Sequence, residues 1–126
     1  MTRLLEIESL NIGFGDVPAV RNLDLSIGVG ETLALVGESG SGKSATALSI
    51  LRLLPRSATV GGRIRFQGRD LLAMTQRGLR DISGREIGMI FQEPMVSLNP
   101  VLRVGEQIAE TIIRKRSIST PLRACA

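Results

Sequence analysis

The sequence predicts an α/β domain, and three patterns carry that expectation. Leu5 and Ile7 alternate with Glu6 and Glu8, and Leu23, Leu25 and Ile27 alternate with Asp24 and Ser26. This is the period-2 signature of strands with one buried face. Thr32 to Val36 is instead a short continuous apolar run, as expected of a strand covered on both faces. Beyond a Gly/Ser loop, Ala47, Ile50, Leu51 and Leu54 fall at i, i+3, i+4 and i+7, which is one face of a helix.

The remaining elements follow in order. A loop with Gly13, Gly15 and Pro18 separates the first two strands, and Gly28 to Glu31 is a turn. Pro55 ends the helix. Ile64 and Phe66 alternate with Arg63, Arg65 and Gln67, a third half-buried strand. Asp70 to Asp81 is polar and helical in part. Ile87 to Phe91 is a further short apolar strand, interrupted only by Gly88. Glu93 to Pro100 is a loop bounded by Pro94 and Pro100, and Val104, Ile108 and Ile112 mark a final helix. From Ser117 the helical pattern stops.

Composition narrows the chemistry. The 126 residues support about one domain, and 43% apolar with 22% charged residues is the usage of a soluble globular protein. The chain has no His, which removes His-based triads, metal sites and proton shuttles. Its one Cys, Cys125, excludes an internal disulfide framework and a Cys-cluster zinc site, and fits a reducing compartment. No apolar run approaches the roughly 18 residues of a membrane span. The richest, Ala45 to Leu54, carries Arg52 and stops at Pro55. The start, Met-Thr-Arg followed by alternating acids, lacks the pattern of a secretory signal. Net charge is +4, carried unevenly: residues 1–60 hold five basic and six acidic side chains, residues 61–126 eleven and six. A basic half can serve nucleic acid or a membrane surface. Only Arg114, Lys115 and Arg116 cluster, however, and no aromatic is interleaved with them, so dispersed arginines solvating helices and loops is the favoured reading.

One motif carries chemistry. Gly37, Glu38, Ser39, Gly40, Ser41, Gly42, Lys43 and Ser44 match G-x-x-x-x-G-K-[ST] in full, between an apolar run and a helical pattern. The glycines let successive N–H groups converge on one phosphate chain, and the helix beginning near Lys43 adds its positive dipole end. Lys43 places a compact positive charge against the terminal phosphates, and the Ser44 hydroxyl is a hard oxygen suited to Mg²⁺.

The flanking residues point further. Phe91-Gln92-Glu93-Pro94-Met95-Val96-Ser97-Leu98-Asn99-Pro100 follows downstream, with Val104-Gly105-Glu106-Gln107-Ile108 soon after. With the glycine-rich loop, this resembles the ATP-binding subunit of ABC transporters, in the branch that energises oligopeptide, dipeptide, glutathione and nickel importers. The resemblance runs from about Leu4 to Arg114. It implies a P-loop NTPase fold of ABC type, with N-terminal antiparallel strands beside a Walker A core. It implies that residues 37–44 bind ATP with Mg²⁺, and that Gln92 is the Q-loop glutamine, reaching the metal and the attacking water. It places the adenine-stacking aromatic at Phe14, in the loop between the first two strands. Phe66 and Phe91 sit in strand patterns and are expected in the core. The implied partners are transmembrane permease subunits, a second ATP-binding subunit and, indirectly, a substrate-binding protein, with no nucleic acid. The implied location is the cytoplasmic face of the membrane, or the cytoplasm if the chain does not assemble.

Other parts of the family pattern do not occur. After Gln92 only Glu93, Glu106 and Glu110 are acidic, and none closes a four-residue apolar run as a water-activating acid pair does in the family. The signature L-S-G-G-Q is absent. Ile82-Ser83-Gly84-Arg85-Glu86 resembles it superficially but precedes Gln92 and carries Arg85 in place of the second Gly. Residues 1–116 are therefore expected to be the N-terminal part of an ABC ATP-binding domain and 117–126 a non-family tail. A shifted frame or aberrant stop leaves such a tail; a natural disordered terminus is the alternative. A central sheet lacking neighbours exposes an edge and apolar faces, so a marginal, aggregation-prone chain with weak nucleotide binding and no turnover of its own is expected. A non-catalytic nucleotide- or partner-binding module and a basic nucleic-acid or membrane-surface binder are the rival readings.

Overall fold

The computed structural model describes residues 2–92 and 97–116, with backbone alone for 114–116. The chain divides into two compact units, Met1–Thr75 and Gln76–Ala126. The first is built on a sheet of four antiparallel strands: β1 (Arg3–Phe14), β2 (Val17–Gly28), β3 (Ala58–Phe66) and the two-residue β4 (Arg69–Asp70). Their order is β2-β1-β3-β4. The alternation read from the sequence sets the register. Ile7 lies opposite Leu25 on one side and Ile64 on the other, and Leu5 opposite Ile27 and Phe66. Leu5, Ile7, Ile64 and Phe66 are buried together with Leu10, Ile12, Leu51 and Leu71.

The first two strands run further than their alternation predicts. The pattern breaks after Glu8, where β1 carries one residue more than either neighbour. Ile7 pairs with Leu25 but Leu10 with Leu23, and Glu8 pairs with Arg63 but Asn11 with Gly61. Ser9, at φ 49°, forms this bulge. One extra residue switches the inward positions from odd to even, so Leu10 and Ile12 stay in the core after Leu5 and Ile7. Side chains hold the bulge. The Ser9 N–H donates to Asp24 Oδ1 at 2.6 Å, Asn11 Nδ2 donates to the Ser9 carbonyl at 2.8 Å, and the Asn22 N–H donates to Asn11 Oδ1 at 3.0 Å. The expected Gly13–Pro18 loop is in consequence a turn at Gly15 and Asp16, and Phe14 is the last residue of β1.

Two apolar segments do not become the strands they predict. Thr32 to Val36 enters no ladder among the described residues; Leu35 is 44% exposed and Val36 86%. A strand of a parallel core draws its hydrogen bonds from neighbours reached by crossover connections. The described sheet is antiparallel throughout, and none of its strands pairs with this run. In the second unit, Ile87 makes one isolated bridge with Ser83, while Ile90 is 99% and Phe91 60% exposed. Phe66 is thus in the core as expected and Phe91 is not.

Helix α1 (Lys43–Ile50) stops before Leu54. Arg52 takes φ 54°, its N–H donates to the Ser49 carbonyl and the Leu53 N–H to the Leu48 carbonyl, the paired bonds of a Schellman termination. The Arg52 guanidinium donates to the Met74 carbonyl at 2.7 Å, which secures a non-glycine residue in this conformation. The second unit contains α2 (Gln76–Ile82), with Leu79 and Ile82 buried, and α3 (Val104–Arg116), the helix expected from Val104, Ile108 and Ile112. Arg63 and Arg65 pair with Glu8, and Arg63 also with Asp70, so part of the basic excess is neutralised on the sheet surface.

Candidate phosphate-binding loop

The eight residues of the glycine-rich motif form one loop that runs into α1. Gly42 caps the helix at φ 90°. A Cβ at this position would stand 2.6 Å from the Ala19 carbonyl oxygen and 2.8 Å from Val20 Cγ2, both in β2. Only glycine lets the helix start sit this close to the sheet. The Thr46 N–H and hydroxyl both donate to the Gly42 carbonyl at 2.9 Å, which ties the first turn down. No side chain caps the helix, and its first turn carries no acid. Its leading amides and positive dipole end therefore face the loop uncompensated by an internal anion.

Lys43 turns back into the loop. Its ammonium donates to the Gly37 carbonyl at 2.7 Å, to the Glu38 carbonyl, and to Ser41 Oγ at 2.9 Å. The Ser41 N–H donates to the Glu38 carbonyl at 3.2 Å, closing the turn between them. Ser44, the second residue of α1, is exposed. A cavity of about 250 Å³ lies behind the loop, bounded by Val20, Leu35, Gly42, Lys43 and Thr46 among others. The donor set fits a magnesium polyphosphate: a loop whose Gly40 and Gly42 take positive φ and leave the backbone amides bare of side chains, one ammonium, and a hydroxyl on the first helical turn. Among the described residues no group of three or more His, Cys, Asp or Glu converges. Mg²⁺ commonly takes one or two protein oxygens and completes its shell with phosphate and water.

Gly37, Glu38, Ser39, Gly40, Ser41, Gly42, Lys43 and Ser44 thus stand together as read. Phe14, at 36% exposure, ends the β1–β2 hairpin instead of lying in a long connection. Gln92 belongs to the second unit, where it is exposed. The Glu93–Val96 part of the downstream motif and the tail at 117–126 lie outside the described residues.

Two features had no reading in the sequence. Ala19 and Val20 seat the loop; because Ala19 acts through its backbone oxygen, no residue type announces it. Gln107 clamps the segment before α3: its Oε1 accepts from the Asn99 N–H at 2.8 Å, and its Nε2 donates to the carbonyls of Asn99 at 3.0 Å and Leu102 at 3.1 Å. Asn99-Pro100, with Asn99 Oδ1 accepting from the Val101 N–H, was the available turn signal.

Comparison with known proteins agrees with this geometry. A family model described as ABC transporter matches residues 20–124. The oligopeptide transport ATP-binding protein OppD of Bacillus subtilis is 46% identical over 94% of this chain and 35% of its own length. OppD of Escherichia coli is 44% identical over 92% of this chain and 36% of its own length. The dipeptide transport ATP-binding protein DppD of B. subtilis is 42% identical over 94% and 37% respectively. The chain thus spans little more than a third of the length of these relatives. Its fold class is the α/β P-loop NTPase class, of which the described residues show the antiparallel layer and the glycine-rich loop leading into α1. With a match reaching from β2 past α3, the chain belongs to the ABC transporter family.

Proposed function

We propose that this chain is part of the ATP-binding component of a peptide or dipeptide importer, which couples ATP binding and hydrolysis to transport across the membrane. The observation that carries this reading is the loop at Gly37 to Ser44, seated on β2 at Gly42, with the Lys43 ammonium folded back onto it at the uncapped start of α1. Lys43 would offset charge on the terminal phosphates and Ser44 would supply an oxygen to Mg²⁺. The metal, when bound, neutralises phosphate charge. Gln92 would orient water near it, and Phe14 would offer its face to adenine. Permease subunits, a second ATP-binding subunit and, indirectly, a substrate-binding protein are the partners, met at the cytoplasmic face. No helix among the described residues is long and apolar enough to cross a membrane, which fits a peripheral subunit.

The residues of this chain position phosphate but offer no acid at the end of an apolar strand, so nucleotide binding without turnover is expected of these 126 residues alone. The exposed runs at 32–36 and 90–91 favour the same outcome, a non-catalytic nucleotide- or partner-binding module, over a self-sufficient enzyme. Calorimetric titration with MgATP and a phosphate-release assay, each run beside Lys43→Ala, test both statements. Saturable binding lost in Lys43→Ala supports the nucleotide reading, and no binding in the parent chain sinks it. Lys43-dependent phosphate release would overturn the absence of turnover.

A further inference from the structure

We propose that Ser41 is a positioning residue: its hydroxyl completes an internal latch that holds the Lys43 ammonium against the loop's own oxygens, and a polyphosphate binds by opening it. This rests on the nucleotide reading above and goes beyond it. An ammonium has three donors and no acceptor. Here all three are engaged, by the Gly37 and Glu38 carbonyls and by Ser41 Oγ. A phosphate oxygen can gain the ammonium only when one of these acceptors releases it. The two carbonyls belong to the backbone, and the one at Glu38 also accepts from the Ser41 N–H. The hydroxyl turns about a single bond and is the acceptor that yields most readily. Gly37 independently marks the arrangement. A Cβ there would lie 2.6 Å from Ser41 Oγ and 3.7 Å from Lys43 Nζ, so the first glycine of the motif makes room for the hydroxyl beside the ammonium.

The latch has a chemical readout separate from nucleotide affinity. The chain contains only two lysines, Lys43 and Lys115, so acylation by an amine-directed reagent can be followed at each by peptide mass analysis, with Lys115 as internal reference. Losing one charge-assisted hydrogen bond at a solvent-open position corresponds to a change of about threefold. Ser41→Ala should therefore raise the initial labelling rate of Lys43 relative to Lys115 by about that factor and tighten MgATP binding by a similar one. Ser41→Thr, which keeps the hydroxyl, should behave like the parent in both. Ser41 is exposed, and circular dichroism of each variant checks that the fold is retained. Unchanged Lys43 labelling in Ser41→Ala would overturn the latch, as would Ser41→Thr behaving like Ser41→Ala. Weaker MgATP binding in Ser41→Ala would also overturn it, because the hydroxyl would then serve the ligand. If labelling follows the hydroxyl while neither parent nor variants bind MgATP, the latch holds and the nucleotide reading fails.

Discussion

The β1–β2 hairpin and the run from Thr32 to Val36 are both rich in strand-forming apolar residues, yet one is a paired, half-buried sheet and the other is open to solvent. The difference lies in where each finds its partner. The hairpin closes through a turn at Gly15 and Asp16, and β3 returns to the free edge of β1 from within the same unit. Burial of Leu5, Ile7, Leu10 and Ile12 then rewards each ladder bond. Thr32 to Val36 has the composition of a strand flanked on both sides, but no described strand pairs with it. Apolar side chains favour a strand only where a second strand satisfies the backbone and covers the face.

Four substitutions break or sharpen this comparison. Leu10, fully buried, should be the costliest: Leu10→Ala is expected to lose about 2–5 kcal/mol in urea unfolding followed by circular dichroism. The bulge staple comes next. Asp24→Ala leaves the Ser9 N–H without its acceptor and should cost about 1–2 kcal/mol, with faster hydrogen exchange at the Ser9 amide as the local readout. Leu35→Lys should change stability by less than about 0.5 kcal/mol, because the side chain is 44% exposed in a run that pairs with no described strand and a lysine there can keep its head in water. The same variant should lower the sedimentation coefficient of concentrated samples, since an exposed uncharged β-prone run promotes association between copies. A Leu35→Lys loss as large as that of Leu10→Ala would mean that the run is packed in solution. The smallest effect is expected at the sheet surface: Arg63→Ala, which breaks exposed ion pairs of 3.6 Å with Glu8 and 3.7 Å with Asp70, should cost less than about 0.3 kcal/mol and nothing measurable in high salt.

Much of this was legible without a structure. The antiparallel layer could be read because alternation reports burial of one face, and that survives in the pairing of Ile7 with Leu25 and Ile64. The bulge at Ser9 could not. An extra residue breaks the alternation, and a sequence reader takes the break for the end of the strand. The early stop of α1 escaped for a related reason: Leu51 and Leu54 continue the helical spacing, while a left-handed Arg52 held by the Met74 carbonyl ends it.

The sequence by itself determined the glycine-rich loop, because its geometry belongs to contiguous backbone: glycines that permit the curl, a lysine that returns to it, and a helix that starts on it. Tertiary structure decided what the loop rests on and which apolar runs become strands. The Ala19 oxygen that seats Gly42, and the absence of any described partner beside Thr32 to Val36, depend on chain segments far apart in sequence. A local pattern records what a residue could bury or bond, and only the packed neighbours determine whether it does.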